Sequence, residues 1–150
     1  MVRLSEHFTL GEFTKSETAE SKDIPNEPGW IEICNLGVLC DSILEPIRSH
    51  YGTPFSPLSG YRSLILNNEI GSSPSSQHVT GQAADIEVPG VSNYDLAVWI
   101  RDNLKFDQLI LENHDMGFPS SGWVHVSFVG INRGEVLEFR NGSWTTGLPE

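Results

Sequence analysis

Between Trp30 and His50 the apolar residues Ile33, Leu36, Leu39, Ile43, Leu44 and Ile47 recur mostly at steps of three and four. That spacing lays one apolar stripe along a helix and predicts the best helix of the chain over residues 30–50. Pro46, which has no N–H to donate, is expected to kink or shorten its last turn. A second helix is predicted over 93–104, with Leu96, Trp99, Ile100 and Leu104 on its inner face. Elsewhere the pattern reads as strands: "AADIEV" as a buried one, "FDQLILE" (106–112) as a second and "WVHVSF" (123–128) as a third. "EVLEF" and "SWTT" flank Asn141-Gly142, a two-residue hairpin signal.

The remaining segments connect these elements. Residues 5–20 read as a short entry segment in which Ser5 can cap, and "KDIPNEPG" (22–29) as a turn-rich connection. "YGTPFSPLSGYRS" reads as a loop and short strand that delivers Tyr61 and Arg62, and "LILNNEI" as a short helix. Helices mixed with mostly antiparallel strands predict a compact α+β fold, with residues 1–150 as a single domain.

Composition narrows the function. Of the 150 residues, 38% are hydrophobic and 19% charged, ordinary values for a chain that buries a core. The net charge of -11 argues against nucleic acid and anionic membranes as partners, because phosphate binding needs a basic patch. No apolar run is long enough for a membrane span. "MVRLSEHFTLGEF" lacks the basic start and apolar stretch of a secretory signal, so the expectation is a protein made in the cytoplasm. Cys34 and Cys40, six apart on a predicted helix, point to different faces and are read as reduced thiols.

Candidate chemistry centres on "SSQHVTGQAADIEV", residues 75–88. His78 stands seven residues before Asp85, and Gly81, Ala83 and Ala84 let backbone pass close by without side-chain bulk. If the chain folds back between them, both side chains converge. In "WVHVSF" the strand alternation puts Trp123, His125 and Ser127 on one face, and His125 beside Asp85 completes a His/Asp/His set. Two imidazoles and a carboxylate suit zinc, whose catalytic sites use three protein ligands and keep one position open for water. Such chemistry needs a carboxylate to move protons. Glu112, at the end of a strand that can lie next to that of His125, is the choice. His7, His50 and His114 have no partners at ligand spacing and are read as surface residues.

These residues also carry a resemblance. "SQHVTGQAADI" resembles the S-x-H-x-x-G-x-A-x-D signature of the zinc D-Ala-D-Ala carboxypeptidase family. "GWVHVSF" is similar to that family's last metal-ligand strand, and "SGYRS" to its substrate-arginine segment. "LSEHFTLGEFTKSETA" and "ILEPIRSHYGTPF" look like its compact phage and bacterial branch, and "FDQLILE" resembles the base-bearing segment of the related hedgehog-type zinc fold. The similarity runs in order from about residue 4 to about residue 128.

The resemblance implies a hedgehog/DD-peptidase-like fold, with His78, Asp85 and His125 as zinc ligands. It implies Arg62 as the partner of a substrate carboxylate and Ser76 as a substrate-holding hydroxyl. The residue three before the last histidine, acidic in many members, is here Gly122. The base must then come from elsewhere, Glu112 first and Asp115 second, and "NHDMGFPSSG" is expected to form a flexible lip over the site.

The implied function is hydrolysis of peptidoglycan stem or cross-link peptides, as carboxypeptidase or endopeptidase, in a phage lysis enzyme or phage particle component. Such an enzyme would reach the wall after release or delivery. The alternative is a zinc-binding structural or recognition module that has lost catalysis, motivated by Gly122. A Ser76/His78/Asp85 serine triad is a poorer fit, since no G-x-S-x-G elbow is present.

Overall fold

A computed structural model describes all residues, Met1–Glu150. Two short helices open the chain, α1 (Leu10–Thr14) and α2 (Glu17–Ser21). Glu12 caps the first by accepting from the Thr9 N–H at 2.7 Å. Ser5 does not cap; its hydroxyl donates to Glu45 instead, at 2.6 Å. The predicted long helix forms as α3 (Trp30–Leu39), a π-helical turn at Cys40–Leu44, and α4 (Glu45–Tyr51). Pro46 does not shorten it, since the helix runs on to Tyr51. The Glu45 N–H reaches back five residues to Cys40, and this wider turn accommodates a residue that lacks a donor. After α5 (Leu64–Ile70) come β1 (Ala83–Ile86), α6 (Asn93–Asn103), β2 (Gln108–Glu112), β3 (Trp123–Ser127), β4 (Glu135–Arg140) and β5 (Ser143–Thr146). Cys34 is exposed and Cys40 buried, both free.

The five strands make one sheet in the order β1-β3-β2-β4-β5. All pairs are antiparallel except β2 with β4. The fold is α+β, as the pattern predicted. The segment before Arg62 contributes only a bridge, Ser59 with Asp85, rather than the expected short strand.

Alternation gives the sheet two unlike faces. Ala84, Ile86, Leu109, Leu111, Val124 and Val126 point one way, into a core shared with Leu36, Ile43, Ile47, Leu96 and Ile100 of the helices. The other face carries Asp85, His125, Ile110 and Glu112. It is therefore the face left for chemistry. No helix is long and apolar enough to cross a membrane.

The loop between α5 and β1 is pressed onto α3. Gly81 has φ +74, and a Cβ built there would lie 2.6 Å from the Glu32 carbonyl oxygen. Asn35 ties the same contact by donating to the Thr80 carbonyl at 2.9 Å. This contact seats the turn that carries His78. Gly81→Ala is expected to cost about 2–4 kcal/mol, combining left-handed strain with the clash, as measured by urea unfolding.

Candidate metal centre

Asp85 sits on β1 directly opposite His125 on β3. Their side chains meet on the open face, with His125 Nδ1 3.0 Å from Asp85 Oδ1. His78 arrives from the loop. Its Nδ1 donates to the Gly60 carbonyl at 2.7 Å, which turns Nε2 inward to 3.4 Å from the same Asp85 oxygen. The two imidazole rings lie edge to face, 5.1 Å apart. All three residues are buried.

Burial lowers the His78 pKa, favouring the neutral imidazole that a metal requires, although Asp85 opposes this. For Asp85 burial works toward protonation, but the bonds from His125 and His78 outweigh it and hold the carboxyl well below its usual range. One ligand atom from each residue falls within 4.8 Å of the others. A tetrahedral zinc with bonds of about 2.0–2.1 Å needs ligand atoms roughly 3.3 Å apart. The separations of 3.0 and 3.4 Å from Asp85 are close to that value, and the two imidazole nitrogens lie within 4.8 Å of each other. The group could hold a metal.

A cavity of about 720 Å³ opens over this cluster, lined also by Arg62, Ser76 and Glu112. Arg62 is held by Ser59, Asn67 and Ser72 and lies 3.6 Å from Asp85 Oδ2. The Ser76 oxygen accepts from the His78 N–H at 3.3 Å, which leaves its own hydrogen free. Glu112 pairs with Trp123 across β2 and β3, and the Trp123 indole N–H donates to Glu112 Oε2 at 2.7 Å. Burial, then the nearby Asp85, raises the Glu112 pKa, against the pull of His125, Trp123 and Arg62.

Gly122 is packed against the backbone of Glu112. It has φ +66, and a Cβ there would overlap the Glu112 carbonyl oxygen and lie 2.6 Å from the Asn113 carbonyl carbon. No side chain fits at 122, because the backbone of Glu112 occupies the place.

Three expectations are corrected. The 113–122 segment is not a lip over the site, since none of its residues lines the cavity. It is pinned through Asn93, whose side chain donates to the Ser121 and Gly122 carbonyls at 3.0 and 3.1 Å. Asp115 accepts from the Gly117 N–H and lies 3.8 Å from Arg140, outside the cavity. His114 is buried rather than on the surface, bonded at 3.0 Å to the Ser121 carbonyl, because it anchors that segment. His7 and His50 are exposed, as predicted.

Sequence reasoning missed Asp107. This buried carboxylate accepts from Gln77 at 2.8 Å and from the Arg133 backbone and guanidinium at 2.8–3.2 Å. It thereby ties the residue next to His78 to the loop before β4. Its only sequence signal was an acid ahead of an apolar strand, and Gln77 and Arg133 are too distant in the chain to suggest it. Trp123 was more legible, since strand alternation puts it on the same face as His125.

A buried His/Asp/His cluster that could hold a metal thus lies on an open sheet face, with a carboxylate and an arginine around one cavity. The family model described as Peptidase M15 matches residues 6–127, and the chain belongs to that family. Peptidases of this family are zinc-dependent, and membership supports a peptidase acting on peptidoglycan. None of the curated proteins matches the chain.

Arg133, chiefly, bonds Asp107 and holds its carboxyl far below the ordinary range. A depressed carboxylate stabilises the fold above about pH 4, and that contribution fades as pH falls through the folded value. Asp107→Asn is expected to lower stability by about 1–3 kcal/mol at pH 7. The gap to the native protein should narrow at pH 3, as urea unfolding at the two pH values would show.

Proposed function

We propose that the chain is a zinc peptidase that hydrolyses peptidoglycan stem or cross-link peptides. His78, Asp85 and His125 are the zinc ligands, through Nε2, Oδ1 and Nδ1. The observation that carries this reading is the convergence of those three atoms beside Glu112 in one cavity. Bound zinc supplies a Lewis acid that polarises the scissile carbonyl and acidifies water.

Glu112 is the base. The Trp123 indole holds its Oε2, so Oε1 takes the proton from the attacking water and passes it to the departing amine. Its raised pKa suits an acid–base group that both takes and gives a proton. Arg62 grips a substrate carboxylate with the fork of its guanidinium, which favours removal of a terminal residue over internal cleavage. The free Ser76 hydrogen donates to the bound peptide. The setting proposed is a phage lysis or particle-associated enzyme, and the charge of -11 suits attachment to a particle better than diffusion through an anionic wall.

A zinc module without catalysis loses its motive here, because the carboxylate missing at Gly122 is supplied by Glu112. Glu112→Gln is expected to keep a full complement of zinc by elemental analysis while hydrolysis of purified cell wall falls about 10²–10⁴-fold. Normal turnover in that variant would remove Glu112 from the role. Mass spectrometry of the native digest is expected to show stems shortened by one terminal D-alanine; cleaved cross-links would make the enzyme an endopeptidase.

A further inference from the structure

The family match ends at residue 127, yet the chain continues into β4 and β5, and these add to the open face. Strand register sets out two rows across the sheet. One runs Asp85, His125, Ile110, Leu137, Thr146. The next runs Trp123, Glu112, Phe139, Trp144. Trp144 thus stands in the row of Glu112, two strands further out. It lines the same cavity as Glu112, His125 and Arg62.

Trp144 is 58% exposed. Its ring rests on Phe139, with centroids 4.6 Å apart at 44°. A large aromatic surface is backed on one side and open on the other, within a cavity whose only other hydrophobic lining residues are Ile70, Ile110 and Trp123. Such a surface gains by covering itself with an apolar group.

Spacing selects the occupant. Neighbouring strands lie about 4.8 Å apart, so the Trp144 backbone is roughly 10 Å from that of Glu112. The bond being cleaved lies over the His/Asp/His cluster, and β3 is one strand further, so about 14 Å separates the Trp144 and His125 backbones; a peptide advancing about 3.3 Å per residue meets the indole near the bond only through a long side chain. The glycan is attached at the far end of the stem and is out of reach. Within reach the stem offers alanines, glutamate and a long-chain diamino acid, and only the last has enough hydrocarbon to cover an indole.

Resting on the function proposed above, we propose that the β4–β5 hairpin is a specificity subsite. Trp144, on its Phe139 support, receives the aliphatic side chain of the stem's diamino residue. The hairpin then selects the peptide by a group remote from the reacting bond, while the His/Asp/His cluster and Glu112 act on the bond itself.

The test compares two N-acetylated pentapeptides, L-Ala-γ-D-Glu-L-Lys-D-Ala-D-Ala and the same peptide with alanine in place of lysine. The native zinc enzyme is expected to favour the lysine peptide about ten-fold in kcat/KM. In Trp144→Ala that ratio should fall toward one through KM, and Trp144→Phe should restore most of it. A native ratio near one, or an undiminished ratio in Trp144→Ala, overturns the subsite. Should the native protein cleave neither peptide nor cell wall, the peptidase reading fails, and the subsite is judged by binding. The Trp144 indole ¹H–¹⁵N resonance is then expected to shift with the lysine peptide and not with the alanine peptide; no selective shift overturns it.

Discussion

The register that sets Asp85 opposite His125 is the constraint on which the rest of the molecule depends. A strand alternates strictly, so a slip of one residue would send both side chains into the core and bring Ala84 and Val124 or Val126 to the surface. The apolar residues on the buried face therefore enforce the position of the polar ones on the open face. Ala84, Ile86, Val124 and Val126 are fully or almost fully buried. The hydrophobic energy that chooses the register also builds the candidate metal cluster. His78, which lies on no strand, depends on the same arrangement at one remove. The Ser59–Asp85 bridge brings Gly60 alongside β1, and the Gly60 carbonyl orients the imidazole.

This coupling explains what could be read in the sequence. Period-two alternation in "WVHVSF" put His125 on a face opposite the core, and the apolar run after Asp85 marked its strand. The strands, the second helix, the Asn141-Gly142 hairpin and the three candidate ligands were legible for that reason: each rests on local spacing. The π-turn ahead of Pro46 was not legible, because it is a backbone adjustment without a residue signal of its own. His114 was misjudged because burial in a loop has no period to reveal it. Asp107 joins Gln77 and Arg133 across 30 and 26 residues of chain, a distance over which no pattern gives warning.

The open face is divided between two parts of the chain. The matched residues supply β1, β3 and β2 with the candidate ligands, Glu112 and Arg62. The residues after 127 supply β4 and β5, joined to β2 in parallel and therefore held in fixed register to Glu112. Arg133 strengthens the join, since its bonds to Asp107 reach the residue just before β2. An addition secured in this way extends the floor of the cavity without disturbing the metal cluster, because it attaches to β2 and not to the strands that bear the ligands.

Gly122 and Glu112 show how one geometric problem can be met from another strand. A carboxylate must stand near the cluster to move protons, and the position three residues before His125 is one place from which to reach it. In this chain the turn into β3 brings the backbone of Glu112 and Asn113 against position 122, which only a residue without Cβ tolerates. The same close approach sets Glu112 directly opposite Trp123, where the indole N–H fixes its carboxylate. The absence of a side chain at 122 and the placing of Glu112 are thus one structural event. Crowding at 122 excludes a side chain there, and the strand that causes the crowding carries Glu112, the carboxylate proposed as the base.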